Sequence, residues 1–171
     1  MPHFFINSND INGDKIIIKN DYKHIVKVLR VKKGEKLLLI DENEIQYETF
    51  VEDIKSSELV AKISKHYKSN RKLPFDLYLA QSPLRSDAQN FVIEKATELG
   101  VKGVYPFHSD NCSVSEDIIK RKTDKWQRIM CEASKQCERA KIPECYKPTT
   151  LESLLEQNFD KVLVLAERST E

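Results

Sequence analysis

The chain has 171 residues, with 28 Lys plus Arg against 27 Asp plus Glu and a formal net charge of +1. At 40% apolar and 32% charged residues it has the composition of a soluble globular protein of one ordinary domain or two small ones. No run of about 18 apolar residues occurs, so no membrane-spanning helix is expected, and a near-neutral balance means that any nucleic-acid surface must come from local clustering of charge.

The start, MPHFFINSNDING, has no basic segment leading into a long apolar core, so no secretory signal is read there. HFFI (3–6), KIIIK (15–19), EKLLLID (35–41), IQYETFVED (45–53) and ELVAKISKHY (58–67) read as short strands. In 45–53, Ile45, Tyr47 and Val51 are expected on one face, and Gln46, Glu48 and Glu52 on the other. Several short strands with tight turns, one of them at Lys33–Gly34, predict a small β-barrel. Between them DYKHIVKVLR (21–30) reads as a helix capped by Asn20 or Asp21, with Ile25, Val28 and Leu29 on one apolar stripe.

HYKSNRKLP (66–74) is polar and basic and marks the domain boundary, giving units 1–72 and 73–171. Its run of Lys62, Lys65, Lys68, Arg71 and Lys72 is either a solvated face or a phosphate-contacting edge. FDLYLA (75–80) then predicts a strand. In SDAQNFVIEKATELGV (86–101), Ser86 and Gln89 have the spacing of a capping box. Ala88, Phe91, Val92, Ala96 and Leu99 follow at helical spacing, and Gly100 suits a left-handed C-cap. With VKGVYPF (101–107) as the next strand, this is the strand–helix–strand unit of a parallel sheet.

Ser115 can cap a short turn, and a long helix is predicted over roughly 123–140. Trp126, Met130, Ala133, Cys137 and Ala140 form its core stripe, and Arg128, Lys135 and Arg139 lie on another face. Thr149 and Glu152 predict another capped helix through about 157. KVLVLAE (161–167) reads as a strand covered on both faces. Three predicted strands in about 100 residues make an α/β domain that looks unfinished, as if truncated or in need of a partner.

The chemistry on offer is narrow. G-x-G-x-x-G, P-loop, G-x-S-x-G and H-E-x-x-H patterns do not occur, and four glycines make a phosphate cradle hard to build. Cys112, Cys131, Cys137 and Cys145 form no C-x-x-C pair, and His3, His24, His66 and His108 are scattered, so reduced structural thiols and no metal site are expected. Glu94 and Glu98, one turn apart beside Lys95, are either a carboxylate pair or a solvated helix face. Basic clusters in the first forty residues and in 120–141 suit a polyanion crossing the two units, which points to RNA.

Four words carry a resemblance to a family: MPHFF at the start, HIVKVLR (24–30), KATELGV (95–101), and a W-x-x-I-x-x-E-A-x-x-Q-x-x-R-x-x-x-P run. Trp126, Ile129, Glu132, Ala133, Gln136, Arg139 and Pro143 fill the last of these. In this order, over the full length, they resemble the bacterial 16S ribosomal RNA uridine-N3 methyltransferases, the RsmE family of the SPOUT superfamily. The resemblance implies an N-terminal PUA-like barrel followed by an incomplete SPOUT-type parallel α/β domain. It also implies S-adenosyl-L-methionine as cofactor, 16S ribosomal RNA in the small subunit as partner, a homodimer, and a cytoplasmic location.

His3 stands where the family has an arginine, which weakens an RNA contact there. The family's later G-P-E-G-G and L-G-x-R-I-L-R-x-E-T segments, which carry the knot, cofactor pocket and catalytic residues, have no counterpart up to Glu171. The chain alone is therefore expected to be inactive, with cofactor-binding and catalytic residues unknown. The RNA-binding candidates are His24, Lys27 and Arg30 in the barrel, Arg85 in the first βα loop, and Arg128 and Arg139 on the long helix. His24 has a structural alternative, and Arg139 the alternative of an intradomain partner; Glu132 and Gln136 would orient Arg139 or reach the active-site rim. Two further readings stay open: a non-catalytic RNA-binding module, and a protein-interaction fragment with an exposed sheet edge.

Overall fold

The computed structural model describes residues 3–69, 73–112 and 114–165. Met1 and Pro2 of the opening word, Arg71 and Lys72 of the basic run with the boundary itself, and Ala166 and Glu167 of the last expected strand lie outside the described residues.

The first unit is a six-stranded sheet. Its strands are β1 (His3–Phe5), β2 (Ile11–Asn12), β3 (Lys15–Ile18), β4 (Lys36–Ile40), β5 (Ile45–Ile54) and β6 (Leu59–Lys68). In space they run β1-β4-β5-β6-β3-β2, with β1 parallel to β4 and every other pair antiparallel. Phe4 of β1 shares one core with Ile16 and Ile18 of β3, Leu37 and Leu39 of β4, and Leu59 of β6. Strands distant in the sheet meet in one core only if the sheet curls, so this is the expected PUA-like barrel.

The alternation predicted for β5 brings Ile45, Tyr47 and Val51 to the core, with Gln46 as its exception. Gln46 is buried, and register shifts fall at Glu48/Thr49 and Val51/Asp53. Thr49, on the face of Tyr47 and Val51, is buried and donates its hydroxyl to the Leu37 carbonyl at 3.1 Å.

The predicted helix over 21–30 forms over 22–28, but its body, His24–Val28, is π-wound and has no side-chain cap. The Leu29 N–H donates to the His24 carbonyl at 3.0 Å, a five-residue step. Ile25 is fully buried, while Val28 is 66% and Leu29 43% exposed.

The second unit is a three-stranded parallel sheet of β7 (Tyr78–Gln81), β8 (Gly103–Pro106) and β9 (Glu144–Cys145). Helices α1 (Ser86–Glu98) and α2 (Glu116–Gln136) pack with Leu79, Val104 and Cys145 around Ile93, Trp126 and Met130. A short α3 (Leu151–Leu155) follows.

Several expectations shift here. Phe75 and Leu77 are exposed, so the first strand begins only at Tyr78. α2 starts seven residues earlier than predicted, with Ser115 as its own N-cap, and ends at Gln136. The cap of α3 is Thr150, whose hydroxyl accepts from the Ser153 N–H, rather than Thr149.

The capping box at Ser86 is absent. Arg85 is the N-cap of α1, and Gln89 is buried with its carbonyl oxygen accepting the Leu84 N–H at 2.9 Å. The core face of α1 carries Gln89, Ile93, Ala96 and Thr97, leaving Phe91 and Leu99 exposed.

β9 was not expected, and the strand over 161–167 does not form in its described part. Residues 161–165 join no strand ladder among the described residues, and Leu165 is 99% exposed. A strand exists by its ladder, and an apolar run alone cannot supply a neighbour. Among the described residues no helix is long and apolar enough to cross a membrane.

Candidate nucleic-acid interface

The sequence between Asp21 and Glu35 contains no acid. Lys23, His24, Lys27, Arg30, Lys32 and Lys33 are all exposed there. Two buried side chains, Ile25 and Val31, pin the segment to the barrel core at either end. Between them the π turn bulges outward. It closes through Arg30, whose φ of 55° is left-handed, and the Val31 N–H donates back to the Ile25 carbonyl at 3.2 Å. The lysines of this segment and Arg30 form no ion pair among the described residues.

A junction with α2 fixes this segment. The Lys135 ammonium lies 3.5 Å from Asp21 and 3.2 Å from Glu132, and its side chain is only 17% exposed. It also sits 5.9 Å from the centre of the Phe4 ring, which the His24 ring meets edge-on at 6.0 Å. Burial opposes the Lys135 charge, but Asp21 and Glu132 outweigh it and raise its pKa above the ordinary value. His24 is thus exposed yet held by a barrel aromatic.

The three cations expected on one stripe of α2 have three different fates. Arg128 is exposed and lines a groove between α1 and α2 with Glu94, Glu98, Lys125, Glu132 and Gln136. Lys135 is spent on the junction. Arg139 lies beyond the end of α2, half-buried, and donates to the Thr97 carbonyl at 2.7 Å. Burial pulls its guanidinium below the ordinary value.

Glu132 does not orient Arg139, because it bonds Lys135 instead. Arg85 is exposed at the N-terminus of α1. Glu94 and Glu98 both bind Lys95, at 2.7 and 2.9 Å, which makes them a solvated ion-pair cluster rather than a free carboxylate pair. Along β6, Lys62 pairs with Asp14 at 3.6 Å, and Lys65 lies 5.3 Å from the Tyr67 ring centre.

The structure therefore gathers His24, Lys27 and Arg30 on one outward turn, leaves Arg128 and Arg85 on separate parts of the second unit, and turns Arg139 inward. The Asp21–Lys135 junction was not foreseen. Its only sequence signal is that Asp21 is the last acid before the basic run.

The RNA methyltransferase domain family matches residues 71–171, and the RNA methyltransferase PUA domain family matches residues 17–64. A ribosomal RNA small subunit methyltransferase E from Mesomycoplasma hyopneumoniae is 31% identical over 99% of this chain and 73% of its own length. The enzyme of the same name from Bacillus subtilis is 27% identical over 90% of this chain and 62% of its length. The chain thus spans less than two thirds of the Bacillus subtilis relative.

Among solved structures, a ribosomal RNA small subunit methyltransferase E from Neisseria gonorrhoeae bound to S-adenosyl methionine superposes with a TM-score of 0.80. It is 23% identical, covering 94% of this chain and 67% of that one. At that identity the likeness speaks for the fold. By the match over 71–171 and by the relative of which it covers nearly three quarters, the chain belongs to the ribosomal RNA small subunit methyltransferase E family.

Proposed function

We propose that residues 1–171 are the RNA-gripping part of an enzyme that methylates a uridine N3 in 16S ribosomal RNA, with S-adenosyl-L-methionine as methyl donor. The observation that carries this reading is the acid-free stretch over 23–33, with every cation exposed, on a PUA-like barrel joined to an RNA methyltransferase domain. The units divide at 72/73. His24, Lys27 and Arg30 meet backbone phosphates, and Arg128 and Arg85 extend the path onto the second unit. Arg139 acts instead as a tie between α1 and the end of α2. A cytoplasmic homodimer acting on the small subunit completes the proposal.

Methylation at N3 requires loss of the imide proton and a sulfonium methyl held in line with that nitrogen. The base must leave its stack to be reached. The described residues do not fit the cofactor. At the C-terminal ends of β7 and β8, where an open α/β sheet binds ligands, the Ser82 and Ser109 hydroxyls bond each other at 2.8 Å. The Gln81 amide is spent on the Ser82 carbonyl, also at 2.8 Å. None of Gly13, Gly34, Gly100 and Gly103 lies there, so no catalytic step is assigned to these residues. That poor fit also favours the second reading, an RNA-binding module without catalysis.

Calorimetry with S-adenosyl-L-methionine tests the first half, and tight binding by residues 1–171 would refute it. Titration with a hairpin from small-subunit RNA over a range of salt tests the second. Arg30→Ala is expected to weaken binding and to reduce the logarithmic salt slope by about 1. An unchanged slope would remove Arg30 from the interface.

A further inference from the structure

Val28 and Leu29 are among the exposed large apolar side chains of the barrel, and they sit adjacent, between Lys27 and Arg30. Val28 ends the π turn and Leu29 follows it, and both are exposed while Ile25 and Val31 stay buried on either side. Arg30 accepts a left-handed backbone, a conformation that strains a residue with a Cβ. Strain of this kind and single π turns recur at functional sites.

Resting on the RNA-binding reading above, we infer that Val28 and Leu29 form an apolar wedge for unpaired RNA bases. The flanking cations hold phosphates on either side of it. The occupant is a single-stranded or looped RNA rather than another protein. Between Asp21, which pairs with Lys135, and Glu35, every side chain flanking Val28 and Leu29 along the chain is cationic or neutral, a complement to a polyanion. Apolar side chains inserted between bases replace part of the stacking that the bases give up. A duplex offers its phosphates but no open base face, so only looped or single-stranded RNA gains from the wedge.

The test compares Val28→Ser/Leu29→Ser with the unmodified chain. The probes are a short RNA hairpin carrying one 2-aminopurine in its loop and a blunt RNA duplex. Both residues are exposed, so the double variant is expected to keep its thermal melt. Expected results are about tenfold weaker hairpin binding, an unchanged salt slope, unchanged duplex binding, and loss of the 2-aminopurine fluorescence rise at saturation.

As a second variant, Leu29→Trp is expected to restore hairpin binding through a larger stacking face. Equal hairpin affinity for the double variant and the unmodified chain overturns the inference while leaving the RNA-binding reading intact. So does an equal loss on hairpin and duplex. A change in sedimentation velocity without a change in RNA affinity assigns the patch to a second copy and also overturns it. If the unmodified chain binds neither RNA at low salt, the RNA-binding reading fails first.

Discussion

In the barrel, Phe4 of β1 and Ile16 of β3 look into the same core, so the sheet protects its own inner face and leaves its outside to carry charge. In the α/β unit, only the sheet face with Leu79, Val104 and Cys145 is buried, against α1 and α2. The other face is a layer of rings. Tyr105 stacks on Tyr146 at 4.1 Å between centroids, with Tyr78 at 5.7 Å from Tyr105 and Phe159 at 5.8 Å from Tyr78.

The cations follow the same division. Those of the barrel turn over 23–33 stand free among the described residues, whereas Lys135 and Arg139 hold parts of the molecule together. Where a core is closed by its own sheet, surface charge is available for a ligand. Where it depends on helices laid across it, some charge is drawn into holding them.

The sharpest way to break this comparison is to damage one core at a time. Leu39→Ala in the barrel and Ile93→Ala in the α/β unit should each lower stability by about 2–5 kcal/mol. Trp126, the single tryptophan, is buried in the α/β core and reports only there. Its fluorescence transition should move with Ile93→Ala and much less with Leu39→Ala, while circular dichroism sees both. Identical shifts of both signals would mean that the two cores unfold as one.

Arg139→Ala comes next. It leaves the Thr97 carbonyl without its 2.7 Å donor and should lower the Trp126 melt by about 1–3 kcal/mol, with RNA affinity near its original value. A loss of affinity without a loss of stability would return Arg139 to the interface.

Alkali should separate the units more gently. Burial pushes the Cys145 thiol from an ordinary 9.0 up to about 12. Burial, then the Tyr105 phenol, pushes Tyr146 from 10.0 to about 12. A raised pKa favours the protonated form in the folded state. Its contribution is therefore whole below the unfolded value and is lost as pH climbs through the folded one.

The α/β unit should begin to weaken above about pH 9, by at most about 1.4 kcal/mol per pH unit from Cys145. The barrel, whose Tyr47 is raised from 10.0 to about 12 by burial and by Asp41, should follow only above about pH 10. Denaturant midpoints between pH 8 and 11 check the order. The smallest effect is at the junction: a double-mutant cycle of Asp21→Asn with Lys135→Met should give a coupling of about 0.5–1 kcal/mol. Zero coupling would mean that this ion pair does not join the units energetically.

Strands β3 to β6 were readable because alternation between turns leaves few other solutions, and α2 because Trp126, Met130 and Ala133 step around one stripe. What failed depended on partners distant in sequence. The buried face of α1 includes Gln89 and Thr97, each bonded to a nearby carbonyl or N–H, so counting apolar residues selected Phe91 and Leu99 instead. β9 is too short to carry a period.

Residues 161–165 carry a strand's composition without a neighbour. At the interface, residue type identified Lys27 and Arg30, but nothing local separates Arg128, which is free to face solvent, from Arg139, whose partner is Thr97. The π winding is likewise invisible to a rule built on 3.6 residues per turn.

Arg30 sets an engineering conflict. Glycine at that position would accept φ 55° without strain and should fold at least as well, yet it would carry no charge. A library selected for thermal endurance and one selected for RNA capture should therefore drive residue 30 in opposite directions. Sequencing both pools would show this single backbone angle as a trade between durability and grip.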